Sequence, residues 1–155
     1  MVAQEMDLLR DMQGTTEYLV VYIAGQMFGI PVLQIQDVLG EQKVTPVPLA
    51  PPEISGALNL RGRIVTAVNV RKRLGLEQVC DSDNRKMSVV VESGNELYSL
   101  VIDKVGDVLA LGSDTFESTP NTLDSVWREV AMGIHRLDDQ LMVVMDVSKL
   151  LQNHD

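Results

Sequence analysis

The sequence predicts an all-β chain folded as two small barrels packed together, with only short helices. Two observations lead there. From Tyr18 onward the chain consists of short apolar runs, rich in β-branched and aromatic residues and cut by glycine turns. The second half then repeats the order of the first. Each half, roughly 65–70 residues with about five short strands, suits a small closed or nearly closed barrel.

Taken in order, Tyr18–Ala24 reads as a strand, Gly25-Gln26 as a turn and Met27–Ile30 as its return. Pro31 and the prolines at 46, 48, 51 and 52 mark a connecting stretch of edge strands or loops, because proline cannot donate to a ladder. Ile54–Leu60 and Ile64–Val70 form a second hairpin about Arg61-Gly62-Arg63, with Gly62 free to take the positive φ of a tight turn. Arg71–Leu76 reads as a helical turn stopped at Gly75. The order then recurs. Met87–Glu92 and Leu97–Ile102 flank Ser93-Gly94-Asn95; Val130–Leu137 and Leu141–Val147 flank Asp138-Asp139-Gln140; Ser148–Leu151 is a short helix.

Setting Gly56–Leu74 on Gly133–Leu151, an ungapped offset of 77, gives five identities: Gly56/Gly133, Leu60/Leu137, Val70/Val147, Lys72/Lys149 and Leu74/Leu151. Gln36-Asp37-Val38 matches Gly106-Asp107-Val108 at an offset of 70. An internal duplication accounts for the joint match of turn, strand and trailing helix. It divides the chain into a flexible tail at 1–16, a first barrel at about 17–79, a second at about 80–151 and a short tail at 152–155. The acidic stretch Cys80–Asn84 reads as the connection. Each barrel alone has a marginal core, so the two are expected to share an apolar interface.

Composition restricts function. The chain has 155 residues, 13 Lys+Arg against 22 Asp+Glu, and a net charge of −9, which disfavours tracking of phosphate backbones. Residues 1–78 carry 7 basic and 8 acidic side chains and residues 79–155 carry 6 and 14, so the acidity lies in the second half. One cysteine rules out a disulfide framework, and two histidines leave little for metal or acid–base chemistry. No apolar run approaches the roughly 18 residues that span a bilayer, and Glu5 and Asp7 stand where a signal peptide carries positive charge. A cytoplasmic protein that works through surfaces, without cofactor or metal, is the expectation.

Among candidate sites, Arg61 and Arg63 flank a hairpin tip. They are either a solvated basic turn or a point of recognition for a carboxylate or backbone oxygens. Gly25–Gly29 lacks the lysine and following helix of a phosphate loop. Cys80 lies among acids, which raise a thiol's pKa. His135 sits in a strand with no acid nearer than Asp138 and reads as structural. The aspartates at 103, 107, 138, 139 and 146 match no EF-hand loop and read as solvated turns. Trp127 is expected to be buried against the sheet.

The strings Phe28-Gly29-Ile30, Ile35-Gln36-Asp37-Val38, Ile54-Ser55-Gly56 and Asn59-Leu60-Arg61-Gly62-Arg63-Ile64-Val65 resemble the CheW coupling-protein family. Val101–Leu109, Met132-Gly133-Ile134 and the Asp146–Leu151 helix are similar to that family's second half. The resemblance implies two SH3-like five-stranded barrels and an adaptor without catalytic activity. It implies two protein partners, the cytoplasmic hairpin tip of chemoreceptors and the regulatory domain of the histidine autokinase CheA, with no nucleic acid and no direct membrane insertion. Carried over by position, Ile35, Arg61, Val105 and Val108 fall where the family meets the receptor. Asp37, Val38 and Ser55 fall where it meets the kinase, and Gly56 and Gly62 match glycines that permit backbone geometry. Leu39, Ser55, Thr66 and Asn69 depart from residues common in the family. A paralogue serving another chemosensory-type pathway, or a small ligand-binding barrel, are the alternative readings.

Overall fold

The computed structural model describes residues 15–40, 42–76, 86–138 and 140–151. The first hairpin is β1 (Thr16–Ile23) and β2 (Gln26–Pro31). There follow β3 (Ile35–Gly40), the hairpin of β4 (Ile54–Leu60) and β5 (Arg63–Asn69), and helix α1 (Val70–Arg73). The second half supplies β6 (Met87–Ser93), β7 (Glu96–Ile102), β8 (Lys104–Leu111) and β9 (Phe116–Glu117). It ends with α2 (Ser125–Arg128), β10 (Ala131–Arg136), β11 (Leu141–Met145) and α3 (Val147–Leu151). Three hairpins turn on pairs with positive φ at both central residues: Ala24-Gly25, Arg61-Gly62 and Gly94-Asn95. Such mirror-image turns match the twist of the strands they join.

The all-β class holds, but the barrels do not divide the chain near residue 80. One sheet has the order β3-β6-β7-β5-β4, a central barrel made from a continuous stretch. The other, β8-β1-β2-β11-β10-β9, is a terminal barrel built from both ends of the chain. Relative to the expected halves, 17–79 and 80–151, the opening hairpins have been exchanged. Hairpin β1–β2 pairs with β8 and, in parallel, with β11; hairpin β6–β7 pairs with β3 and, in parallel, with β5. The physical reason is that a duplication provides equivalent partners in either half, and local periodicity does not distinguish them. The tail assigned to 1–16 also ends early, since Thr16 already pairs with Leu111. Residues 1–14, residue 41, residues 77–85 with the Cys80–Asn84 connection, Asp139 and residues 152–155 lie outside the described residues.

Both sheets curl. β3 and β4 are opposite edges of the central sheet, yet Thr45, just beyond β3, exchanges two 2.8 Å backbone bonds with Ala57 of β4. In the terminal barrel, the chain beyond β8 closes the same way when β9 pairs with Ile134 and His135 of β10. These closures explain the repeated glycine pair. A Cβ on Gly56 would stand 2.4 Å from the Thr45 carbonyl oxygen, and one on Gly133 would stand 2.3 Å from the Phe116 ring. Only hydrogen fits where the closing segment crosses.

Alternation along the strands then builds three cores. Leu19, Val21, Phe28, Val89, Leu100 and Val143 belong to one large cluster shared by both barrels. The opposite faces fill each barrel's own interior: Tyr18, Val20, Met27, Met142 and Val144 in the terminal barrel, Val65, Val90 and Leu97 in the central one. Trp127 is half-buried at the edge of the shared core, with its ring edge-to-face on Phe28 at 5.2 Å.

Candidate functional site

Arg61 sits at the tip of the β4–β5 hairpin because Arg61-Gly62 is a two-residue turn, fastened by the Gly62 N–H donating to Asn59 Oδ1 at 2.9 Å. Its side chain is 77% exposed, and Nη2 lies 2.9 Å from Asp37 Oδ2 on β3. That oxygen is buried and accepts no hydrogen bond among the described residues, so charge rather than an aligned N–H holds the pair. Asp37 Oδ1 accepts from the Val38 N–H at 2.9 Å, which fixes the carboxylate against β3. With its cation largely in solvent, such a pair contributes about 0.2–1 kcal/mol, so Arg61 is presented rather than locked.

Two predicted sets therefore meet: Arg61, expected on the receptor side, contacts Asp37, expected on the kinase side. The remaining residues follow the repeat. Ile35 and Val105 are related by the offset of 70, and both are half-buried against the shared core. Val38 and Val108 are likewise related, and are exposed by 38% and 51%. They lie on β3 and β8, the outer strands of their sheets, so the receptor set is divided between barrels. Ser55 is half-buried where the β4–β5 register shifts, and it lines a cavity in the central barrel. Gly62 takes the positive φ that was expected of it.

Sequence reasoning passed over Ile64 and Leu33. Ile64 reads as a strand-interior position but is 74% exposed, one residue past the strand's first, at Arg63. Its closeness to the Arg61-Gly62 turn was the available signal, because a strand's first residues after a tight turn lie beyond the covered part of the sheet. Leu33, exposed in a 3-10 turn just before Ile35, had no periodic signal at all.

Arg63 and Lys72 are exposed, whereas Arg71 and Arg73 make contacts within the fold. Arg71 donates from Nε to Asp103 Oδ1 at 2.8 Å, and Asp103 Oδ2 also accepts from the Ala24 N–H at 2.9 Å. Helix α1, the β7–β8 corner and the first hairpin turn are thereby joined. Burial alone would raise the Asp103 pKa, but the Arg71 and Ala24 hydrogen bonds and the charges of Arg71 and Lys86 outweigh it. Together they hold the carboxyl below its ordinary range. Arg73 donates to the Leu150 and Lys149 carbonyls at 2.7 and 3.1 Å, tying α1 to the end of α3. His135 is buried between Thr115 Oγ1, 2.8 Å from Nδ1, and the Tyr18 hydroxyl, 3.3 Å from Nε2. Burial pushes its pKa down, against an opposing pull from Asp114, so the ring favours the neutral form of a structural residue.

A family model, the CheW-like domain, matches residues 17–155. The chain belongs to the CheW-like family. Among its relatives, the chemotaxis protein CheW of Klebsiella aerogenes is 27% identical over 139 residues, covering 90% of this chain and 83% of that one. The chemotaxis protein CheW of Thermotoga maritima is 28% identical over 147 residues, covering 95% of each. The crystal structure of the scaffolding protein TtCheW from Thermoanaerobacter tengcongensis superposes with a TM-score of 0.80 at 24% identity, covering 91% of this chain and 96% of that one. The fold is thus that of a CheW-like domain, two packed SH3-like barrels.

Within this CheW-like frame, two of the departures have plain structural roles. Leu39 packs into the central barrel's interior with Leu58 and Leu60. Asn69 caps α1, its Oδ1 accepting from the Lys72 N–H at 3.2 Å. Asp146, its equivalent at the offset of 77, caps α3 through the Lys149 N–H at the same distance. Either side chain supplies the same acceptor.

Proposed function

We propose that this chain is a non-enzymatic adaptor that couples the cytoplasmic tips of chemoreceptors to the histidine autokinase CheA. It works in the cytoplasm, recruited to membrane-anchored receptor arrays. The observation that carries this reading is the junction at β3, where Arg61 of the receptor set leans on Asp37 of the kinase set. One partner is met by Ile35, Arg61, Val105 and Val108; the other by Asp37, Val38 and Ser55. Exposed apolar residues on two outer strands, Val38 and Val108, offer two separate faces, the minimum for a bridge. A planar guanidinium suits a carboxylate on an acidic helical hairpin, and the half-buried valine and isoleucine positions suit that hairpin's apolar stripe. Among the described residues no helix is long and apolar enough to cross a membrane, so array attachment is by way of the receptor.

The test is direct binding, by calorimetry, to a receptor tip fragment and separately to the kinase regulatory domain. Arg61→Ala is expected to weaken receptor binding by about tenfold or more while changing stability by less than about 1 kcal/mol. Failure to bind either partner at micromolar concentration sinks the adaptor reading. Unchanged receptor affinity in Arg61→Ala sinks the site.

A further inference from the structure

The central barrel is incompletely filled. Beside its small apolar interior lies a solvent-connected cavity of about 320 Å³. The repeat explains where the space comes from. Tyr18, Val144 and Met142 fill the terminal barrel, and their equivalents in the central barrel are Ser88, Ala67 and Val65, each smaller. Gly29, over which the Met142 side chain lies, is replaced by Ser99.

The lining is selective in chemistry. Ser88 and Ser99 are 3% and 1% exposed, both border the cavity, and neither hydroxyl has a hydrogen-bond partner among the described residues. Neither oxygen is sealed from the cavity, so each hydroxyl is available to a ligand or water there. Lys86 also lines it, and no carboxylate does among the described residues. The charge of Lys86 acts on Asp103, a carboxylate already engaged by Arg71 and the Ala24 N–H. Ser88 and Val90 share one face of β6, and Lys86, half-buried, immediately precedes the strand in the same alternation. Leu58, Ala67 and Val101 supply apolar wall.

We propose that this cavity binds a small organic monocarboxylate with a short aliphatic tail. The carboxylate meets Lys86 and the hydroxyls of Ser88 and Ser99, and the tail lies against Leu58, Ala67 and Val101. The volume is at the lower limit for ligand pockets, roughly 300–1,000 Å³, which excludes a nucleotide. Ser55 of the kinase set borders the cavity, but binding here needs no protein partner, so a failed titration and a failed adaptor assay are read separately.

The experiment is a chemical-shift titration of the full chain with sodium butyrate, with butyramide and sodium phosphate as comparators. Saturating shifts at the Ser88 and Ser99 amides are expected with butyrate, with each comparator weaker by about tenfold or more. Lys86→Gln is expected to weaken butyrate by a similar factor. Ser88→Tyr, which restores the terminal barrel's residue, is expected to abolish it. Should Ser88→Tyr not fold, Ser99→Val removes a hydroxyl without filling the space and is expected to weaken butyrate also. Absence of saturable shifts overturns the site. Equal binding of butyramide overturns the anionic assignment, equal binding of phosphate overturns the tail, and undiminished affinity in Lys86→Gln overturns the carboxylate contact.

Discussion

The terminal and central barrels share one pattern of strands and differ in what fills them. The terminal barrel is packed with Tyr18, Met142 and His135, and the histidine is held on both ring nitrogens. The central barrel has Ser88, Val65 and Leu58 at the equivalent positions and keeps a cavity. Charge differs as well. Residues 35–103 carry 8 basic and 9 acidic side chains, whereas residues 16–34 and 104–151 carry 4 and 9. The acidity read as belonging to the second half therefore belongs to the terminal barrel and the connection, while the basic hairpin belongs to the central one. What the comparison teaches is that strand pairing and closure are what the repeat preserves, and interior volume is where it has diverged.

The closures offer the sharpest break. Gly56 has φ +153° and a Cβ there meets backbone at 2.4 Å, whereas at Gly133 it meets chiefly the half-exposed ring of Phe116, which can swing aside, with the Glu117 carbonyl oxygen at 3.0 Å. Gly56→Ala should cost about 3 kcal/mol and Gly133→Ala about 1 kcal/mol, compared by urea denaturation. Equal losses would mean that the two closures are equally rigid.

The Arg71–Asp103 latch has no counterpart, since Leu33 and Ser148 stand at the repeat-related positions. Asp103→Asn leaves a largely buried guanidinium without its ionic partner and should cost about 1–3 kcal/mol. Because folding lowers the Asp103 pKa, the native state binds fewer protons than the unfolded chain in the acid range. The latch's contribution is thus complete above about pH 4, the unfolded carboxyl's value, and is lost as pH falls through the folded one. Denaturation of wild type and variant at several acid pH values checks this, the difference narrowing as pH falls.

Asn69→Ala and Asp146→Ala should each cost about 1 kcal/mol, as equivalent caps on equivalent helices. A clear inequality would show that α1, already tied by Arg71 and Arg73, depends less on its cap. The smallest effect is in the slope of stability with pH. His135 has a lowered pKa, so the unfolded chain takes up protons first as pH falls below about 6.5 and wild-type stability declines. His135→Leu, which places the central barrel's residue in the terminal one, should flatten that slope between pH 7.5 and 5.5. An unchanged slope would assign it to other groups.

Hairpins were legible in the sequence because turn chemistry and period-2 alternation are local: β4, β5 and β7 lie within a residue of where alternation places them. β8 was not legible. As an outer strand it alternates poorly, with Asp107 and Val108 adjacent and both exposed. The exchange of hairpins was not legible either, since parallel pairs such as Phe28 with Val143 leave no local mark. For the site, Arg61 was readable from its turn and Gly56 from the repeat. The Asp37–Arg61 contact required the sheet to curl, and the cavity required knowing that Ser88 and Ser99 face inward beside Ala67.

The exchange also fixes an order of events during synthesis. The central barrel is a continuous stretch and can close once β7 has left the ribosome. Hairpin β1–β2 emerges first, but Phe28 must wait for Val143, which is made 115 residues later. At about 5–20 residues per second that interval is on the order of ten seconds. Until β8 and then β11 are made, hairpin β1–β2 lacks its strand partners, so it is the segment of this domain that a chaperone would have most reason to hold.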